Sequence, residues 1–399
     1  MKAQLERIFR TGVAACQPAA VLPPHLPPPP PGRTILLAFG KAAGSIALAA
    51  EQHYGDGLEG AAVVPHGVRA ELQRVAVIHA GHPLPDSASV EAAERLLALA
   101  ASARAGDRVL VLLSGGASSL ACLPGEGLPL AAIQALTVDL LRSGAGISDI
   151  NCVRRHLSRI KGGRLAQAVA GDAELLTLAI SDVEGDRPTD IGSGPTVADP
   201  TTIDDAKDAL RRLGIAAPAL GWSESPKAVA GEFRIVADAR AALEAAAEEA
   251  ERLGFKVERL GEAYGAAAET GRRHAGRALT ALPGTALISG GELGARVVGG
   301  GRGGRNQDYA LAAAIAIAGR GDIGGLAADS DGIDGNGIAA GAFFDGTSLA
   351  RSDRDPAEAQ ATSDSGGFFA ALCDHFVTGP TGTNVNDLRI LLVAPRSEG

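Results

Sequence analysis

Lysine is scarce in this chain, six residues against 31 arginines, and one of the six stands where a phosphate could be met. The apolar run Ile35-Leu36-Leu37-Ala38-Phe39 reads as a buried strand and gives way at Gly40-Lys41 to an Ala-rich helical stretch. A lysine at such a turn can set a point charge on a phosphate, helped by the unpaired N–H groups of the helix start. The plain alternative is a solvated lysine beside a turn glycine. No G-x-x-x-x-G-K-[ST] string occurs, so this is not the usual P-loop. A second strand-like run, residues 108–113, ends in Ser114-Gly115-Gly116-Ala117-Ser118-Ser119. Its amides and hydroxyls at the mouth of a helix suit an anion nest or, more plainly, a turn with an N-cap. Residues 175–180 form a third such run, followed by Ser181-Asp182-Val183-Glu184-Gly185-Asp186. Its three carboxylates, Asp182, Glu184 and Asp186, could hold Mg²⁺, whose preference is for carboxylate and phosphate oxygens, or belong to a polar loop with a helix-capping aspartate. Ser193 and Gly194, in Ile191-Gly192-Ser193-Gly194-Pro195-Thr196, form a further loop that looks ligand-facing.

The C-terminal half carries its own glycine loops. Ser289-Gly290-Gly291-Glu292 follows a strand-like run and echoes the earlier Ser-Gly-Gly. Residues 299–307 read G-G-G-R-G-G-R-N-Q before a long Ala-rich helix, and Gly299, Gly301 and Gly304 formally match G-x-G-x-x-G after a short Val297-Val298 strand. Asp329 stands only loosely where a ribose-binding acid would be. Arg302 and Arg305 at a helix N-terminus would repel the helix dipole, so a bound anion would account for them. Asp329-Ser330-Asp331-Gly332-Ile333-Asp334-Gly335 resembles part of a calcium loop but lacks the later glutamate. Residues 378–387 gather Thr383, Asn384, Asn386 and Asp387 beside two glycines, a binding loop whose ligand composition does not name. His82, in Gly81-His82-Pro83-Leu84-Pro85-Asp86, could be a base, but a structural histidine in a proline-stiffened turn is the better reading.

The elements that must hold these residues alternate regularly. A helix over residues 1–20 precedes residues 23–31, which contain seven prolines and read as a stiff spacer or tether. Strands at 35–39, 61–64, 75–79, 108–113 and 175–180 alternate with helical stretches, the rhythm of a doubly wound parallel sheet. In such sheets the ligand sits at the carboxyl ends of the strands, where Lys41, Ser114 and Asp182 all fall. Residues 215–232 form a looser connection. A second cycle then begins with strand 233–237, helix 239–253 and strand 255–260, and closes with strand 388–393. The expected fold is α/β with two domains: 1–228, Rossmann-like, and 229–399, smaller.

The bulk numbers narrow the function classes. The 399 residues exceed what one core usually organises, and 46% hydrophobic with 21% charged is ordinary for a globular chain. The 53 glycines suit sharp turns and close ligand approach. A net charge of −9 argues against nucleic acid or an anionic membrane as partner. No long apolar run predicts a transmembrane helix. Four scattered cysteines make no zinc pattern and fit reduced thiols in a cytoplasmic protein.

Nine strings in order resemble one family. They are Ala38-Phe39-Gly40-Lys41-Ala42, the His82-to-Asp86 turn, Leu113 through Ser118, Asn151-Cys152-Val153-Arg154-Arg155-His156-Leu157-Ser158 with Lys161-Gly162-Gly163, and Ser181-Asp182 through Thr196. Ser289 through Glu292, Gly303 through Gln307, Asp331 through Gly335 and Gly379 through Asp387 complete them. The chain is similar to the class II glycerate 2-kinases, whose C-terminal part is called the MOFRL domain. That resemblance implies an active site in a cleft between the domains and transfer of the γ-phosphoryl of Mg·ATP to the 2-hydroxyl of D-glycerate. It implies Lys41 and Arg305 as catalytic residues. Ser114, Gly115, Gly116, Ser118, Ser193, Gly194, Glu292, Asn306, Thr383, Asn384, Asn386 and Asp387 are then candidates for substrate and nucleotide, and Asp182 and Asp186 for Mg²⁺. The sequence departs from the family at Ala328-Asp329-Ser330, at residues 362–367 and in the proline spacer. Two rival readings stand beside it: an NAD(P)-dependent hydroxypyruvate reductase, resting on Gly299–Gly304, and a non-catalytic ligand sensor. Oligomeric state is not legible.

Overall fold

The computed structural model describes residues 1–295 and 298–396. Strands with no polar face belong inside a sheet covered on both sides. Here β1 (Thr34–Phe39) bears this out, with all six residues buried. It belongs to a six-stranded sheet with β2 (Leu58–Pro65), β3 (Val75–Ala80), β4 (Arg108–Leu113), β5 (Glu174–Ile180) and β6 (Glu232–Ala237). β4 is likewise buried throughout. The order is β3-β2-β1-β4-β5-β6 and every pairing is parallel, the expected doubly wound sheet. Its order reverses between β1 and β4, where Phe39 and Leu113 end the two strands in register. The helix Ser87–Ala101 starts at a reciprocal cap: Asp86 accepts from the Ser89 amide at 2.9 Å and Ser89 Oγ from the Asp86 amide at 3.1 Å. It buries Ala92, Leu96 and Leu99 in the core that also takes Ile35, Leu37, Val109 and Val111.

The chain divides into Pro18–Ala237 and a second unit formed by Met1–Gln17 with Asp238–Gly399. This differs from the expected division after residue 228 in two respects. Strand 233–237, read as the start of the second domain, instead closes the first sheet as β6, because the free edge of β5 accepts it. The N-terminal helix Lys2–Ala15 buries Leu5, Ile8, Phe9 and Val13 with Phe376, Ile390 and Leu392 of the second unit. The proline segment is held to the first unit: Tyr54 Oη donates to the Pro27 carbonyl at 2.8 Å and an Arg108 nitrogen to that of Pro28 at 2.7 Å.

The second unit contains β7 (Lys256–Glu262), β8 (Gly265–Ala266), β9 (Thr285–Gly290), β10 (Leu293–Gly294), β11 (Ile323–Asp329), β12 (Gly341–Asp345), β13 (His375–Phe376) and β14 (Asp387–Val393). Six of them form a mixed sheet in the order β13-β12-β11-β14-β9-β7, with β8 and β10 a small parallel pair. β14 runs antiparallel to both β9 and β11, so its first residue lies beside their last ones. The helix Arg305–Ala316 packs Tyr309, Leu311 and Ala313 into the core beneath.

Candidate functional site

The reversal between β1 and β4 brings the first cluster together. Gly40 has φ +142°, and a Cβ there would lie 2.1 Å from Ser114 Oγ, so only glycine lets the two strand ends close up. The Lys41 amide then donates to the Gly115 carbonyl at 2.7 Å and the Ala42 amide to Ser114 Oγ at 3.0 Å. Gly116, with φ +81°, caps the short helix Ala117–Leu120. A Cβ at Gly116 would come within 2.9 Å of His82 Nε2 and 3.3 Å of Lys41 Cγ, so both side chains lie against this glycine. Lys41, Ser114, Gly115 and Gly116 therefore share one place, and His82, read as structural, stands there with them.

Ser118 extends the cluster. Its Oγ lies 2.7 Å from Ser193 Oγ, and Ser193 donates onward to Asn151 Oδ1 at 2.9 Å. Ser193 and Gly194 both have φ +61°, a bend that aims the serine inward. Asn151 is fixed by Asp190, and Arg155 by Asp190 and Asp199. Asn151 was missed as a site residue because nothing local marks a buried amide as the end of a serine chain. Asp182 is partly buried directly after β5, and Asp186 has φ +51° in the turn Glu184–Asp186. Among the described residues, no group of three or more His, Cys, Asp or Glu side chains is placed to hold a metal ion. Two carboxylates with phosphate and water oxygens remain a donor set that Mg²⁺ accepts.

Beside Ser118 lies a small cavity of about 30 Å³, lined by Pro83, Ser119, Arg154, Ser158 and Lys161 among others. Lys161 Nζ donates to the carbonyls of Ser118 and Ala121, each at 2.7 Å. Burial draws its pKa down to about 8 and also lowers that of Arg154.

The second cluster gathers on Arg305, first residue of its helix. Nε donates to Asp387 Oδ1 at 2.9 Å, one terminal nitrogen to Glu292 Oε1 at 2.6 Å and the other to Asp329 Oδ2 at 2.8 Å. Burial opposes the charge, but Asp387, Asp329 and Glu292 outweigh it and hold the guanidinium firmly protonated. The three acids come from three strand ends: Glu292 past β9, Asp329 closing β11 and Asp387 opening β14, with Asp329 directly opposite Asp387. Two of the five guanidinium N–H groups remain for another acceptor. Asn306 Nδ2 also donates to Asp387, at 2.7 Å. Asp334 accepts from the amides of Asn306 (3.1 Å) and Gln307 (2.9 Å), capping the helix, and burial raises its pKa to about 6. Thr383 turns away from this cluster, its hydroxyl donating to the Cys16 carbonyl at 2.7 Å. Asn384 and Asn386 lie in the loop before β14; Asn384 Oδ1 accepts from the Asn386 amide at 3.4 Å.

The glycine loop before Arg305 lacks the character of a dinucleotide cradle. Val297 of the expected short strand lies outside the described residues. The amides of Val298, Arg302 and Gly303 already donate to Ser363 Oγ, Asp364 Oδ1 and Asn336 Oδ1 at 2.8, 2.9 and 3.1 Å. Asp329, the acid set against a ribose, is taken by Arg305. All four cysteines are free, three of them buried, and no helix among the described residues is long and apolar enough to cross a membrane.

Residues 4–221 match the family model described as a domain of unknown function, DUF4147, and residues 285–387 match the MOFRL family. The chain is 37% identical over 408 residues to a D-glycerate 2-kinase of Thermotoga maritima, covering 97% of each. It is 44% identical over 413 residues to an Agrobacterium vitis protein provisionally named hydroxypyruvate reductase, covering 98% of this chain and 94% of that one. A crystal structure of glycerate kinase from Thermotoga maritima superposes with a TM-score of 0.89 at 36% identity, covering 98% of this chain and 99% of that one.

Proposed function

The chain belongs to the family that joins a DUF4147 region to a MOFRL region and includes glycerate 2-kinases, and on that premise we propose that it is an ATP-dependent D-glycerate 2-kinase. The observation that carries this reading is Lys41 at the topological switch point, over the Gly115–Gly116 turn that leads into the helix carrying Ser118. The 2-hydroxyl oxygen of glycerate attacks the γ-phosphorus of ATP, the bond to the β,γ-bridging oxygen breaks, and the hydroxyl proton passes to solvent. The products are 2-phosphoglycerate and ADP. Such a transfer needs positioning and neutralisation of charge more than covalent chemistry.

Lys41 supplies a compact ammonium to the transferring group, and Arg305 a fixed guanidinium with two N–H groups to spare. The turn from Ser114 to Ser118 supplies amides and hydroxyls for anionic oxygens. Asp182 and Asp186 would hold Mg²⁺ together with phosphate oxygens, and the bound ion neutralises charge on them. Glu292, Asp387 and Asn306 keep the Arg305 fork in one orientation rather than meeting the substrate themselves. The reductase reading draws on the provisional names of some relatives, but the occupied amides of residues 298–303 count against it.

Offered Mg·ATP and D-glycerate, the purified protein should release ADP and feed enolase directly, since enolase accepts the 2-phospho but not the 3-phospho product. Oxidation of NADH or NADPH with hydroxypyruvate, and no ADP, would replace this reading by the reductase one.

A further inference from the structure

The cavity beside Ser118 faces two cations that the phosphoryl chemistry above leaves unused. Lys161 is anchored, two of its three N–H donors spent on the Ser118 and Ala121 carbonyls. Arg154, on the helix Ile147–His156, is not. Among the described residues its guanidinium has no hydrogen-bond or ion-pair partner. The neighbouring arginines differ: Arg155 is held by Thr189, Asp190 and Asp199, and Arg164 by the Arg155, Lys161 and Ser223 carbonyls. No carboxylate acts on Arg154 or Lys161; the nearby Cys122 thiol is pushed up by burial and stays neutral. A half-buried guanidinium beside a buried ammonium on one cavity, neither with a counter-charge, is an arrangement that a bound anion stabilises.

Leu123, Ile133 and Leu157 complete the wall, so the cavity is apolar with a few convergent polar groups and is sized for one small group of a ligand rather than a whole one. Pro83 also lines it, one residue from His82, whose ring lies with Lys41 against Gly116. We propose that Arg154, backed by Lys161, is the subsite that binds the carboxylate of the acceptor acid. The planar fork of a guanidinium matches a carboxylate with two parallel hydrogen bonds. Lys161 has one donor left, which suits a carboxylate better than a phosphate dianion. The carboxylate is what distinguishes a 2-hydroxy acid from a simple alcohol, so the subsite sets acceptor choice. This rests on the kinase reading.

The test compares wild type with Arg154→Met and Arg154→Lys, measuring KM for D-glycerate and for ATP, with glyceramide as the uncharged acceptor. Arg154→Met should raise the KM for glycerate about 10- to 150-fold, the worth of a charged hydrogen-bonded contact, and leave that for ATP within about twofold. It should also abolish the preference for glycerate over glyceramide, with Arg154→Lys in between. Because the guanidinium has no protein partner, the thermal midpoint of ligand-free Arg154→Met should hold or rise, by about 2–4 °C. A lowered midpoint with unchanged KM for glycerate would make Arg154 structural and overturn the proposal. A raised KM for ATP alone would reassign the cavity to nucleotide phosphate and overturn it equally. If wild type makes no ADP, the kinase reading fails while calorimetric titration with D-glycerate and with inorganic phosphate still tests the subsite. Glycerate binding lost in Arg154→Met would then support it, and equal binding by both proteins would sink it.

Discussion

At the scale of single residues, the two cations assigned to catalysis differ in how they are held. Lys41 is a half-buried side chain just past the end of β1, outside the buried core. Lys41→Met should therefore lower turnover about 100- to 1,000-fold, the cost of removing one charge-stabilising donor, with little change in the thermal midpoint. A coupled assay beside a melting curve checks both, and near-normal turnover would remove Lys41 from the chemistry. Arg305, proposed as catalytic, also has a structural role. It separates Asp329 from Asp387, which face each other across β11 and β14, and like charges so placed repel. Arg305→Met should cost about 3–5 kcal/mol, because it removes the guanidinium that neutralises the facing buried carboxylates of Asp329 and Asp387. Urea denaturation measures this; an unchanged midpoint would mean that water already compensates the acids.

At the scale of elements, the helix Arg305–Ala316 depends on a cap contributed from residue 334. Asp334 is 1% exposed and accepts both the Asn306 and Gln307 amides, yet burial outweighs these bonds and lifts its pKa from 3.8 to about 6. A carboxyl whose folded pKa is raised adds stability that is fully present below about pH 4 and is lost as pH rises through 6. The wild-type unfolding free energy, relative to that of Asp334→Asn, should fall between pH 4 and 7 by on the order of 3 kcal/mol. Paired denaturation curves at several pH values test it, and parallel pH profiles for the two proteins would show that this carboxyl does not titrate in that range.

At the scale of the whole molecule, the division of the chain is itself testable. Residues 18–237 contain the complete parallel sheet, with β6 covering the edge of β5. Residues 1–228 lack β6 and carry the helix Lys2–Ala15, whose Leu5, Ile8, Phe9 and Val13 belong to the core of the other unit. The 18–237 chain should be monomeric and unfold cooperatively. The 1–228 chain should aggregate, since it exposes both an unpaired strand edge and an apolar helix face. Size-exclusion chromatography and calorimetry separate these outcomes, and equal behaviour of the two chains would contradict the division.

Much of this was open to reading along the chain. Runs such as residues 35–39 and 109–113, with no polar face, require strands buried on both sides, and Gly40-Lys41 and Ser114-Gly115-Gly116 at their ends mark the ligand-facing turns. These signals are local: the period of burial and the chemistry of a turn depend on neighbours a few residues away. Other features are not local. Whether 233–237 opens one domain or closes another depends on which strand edge is free, and the apolar stripe of Lys2–Ala15 does not say which core it covers. Arg305 looks like a bare cation before an Ala-rich helix until the antiparallel course of β14 sets Asp387 beside Asp329 and within reach of its fork. Arg154 and Arg155 are adjacent and chemically identical, yet Arg155 is bound by Asp190 and Asp199 while Arg154 lines a cavity. Residue type and spacing settle which elements form and where a turn can face a ligand. Which charges find partners is settled by packing, because an ion pair is made between segments that the chain order leaves far apart.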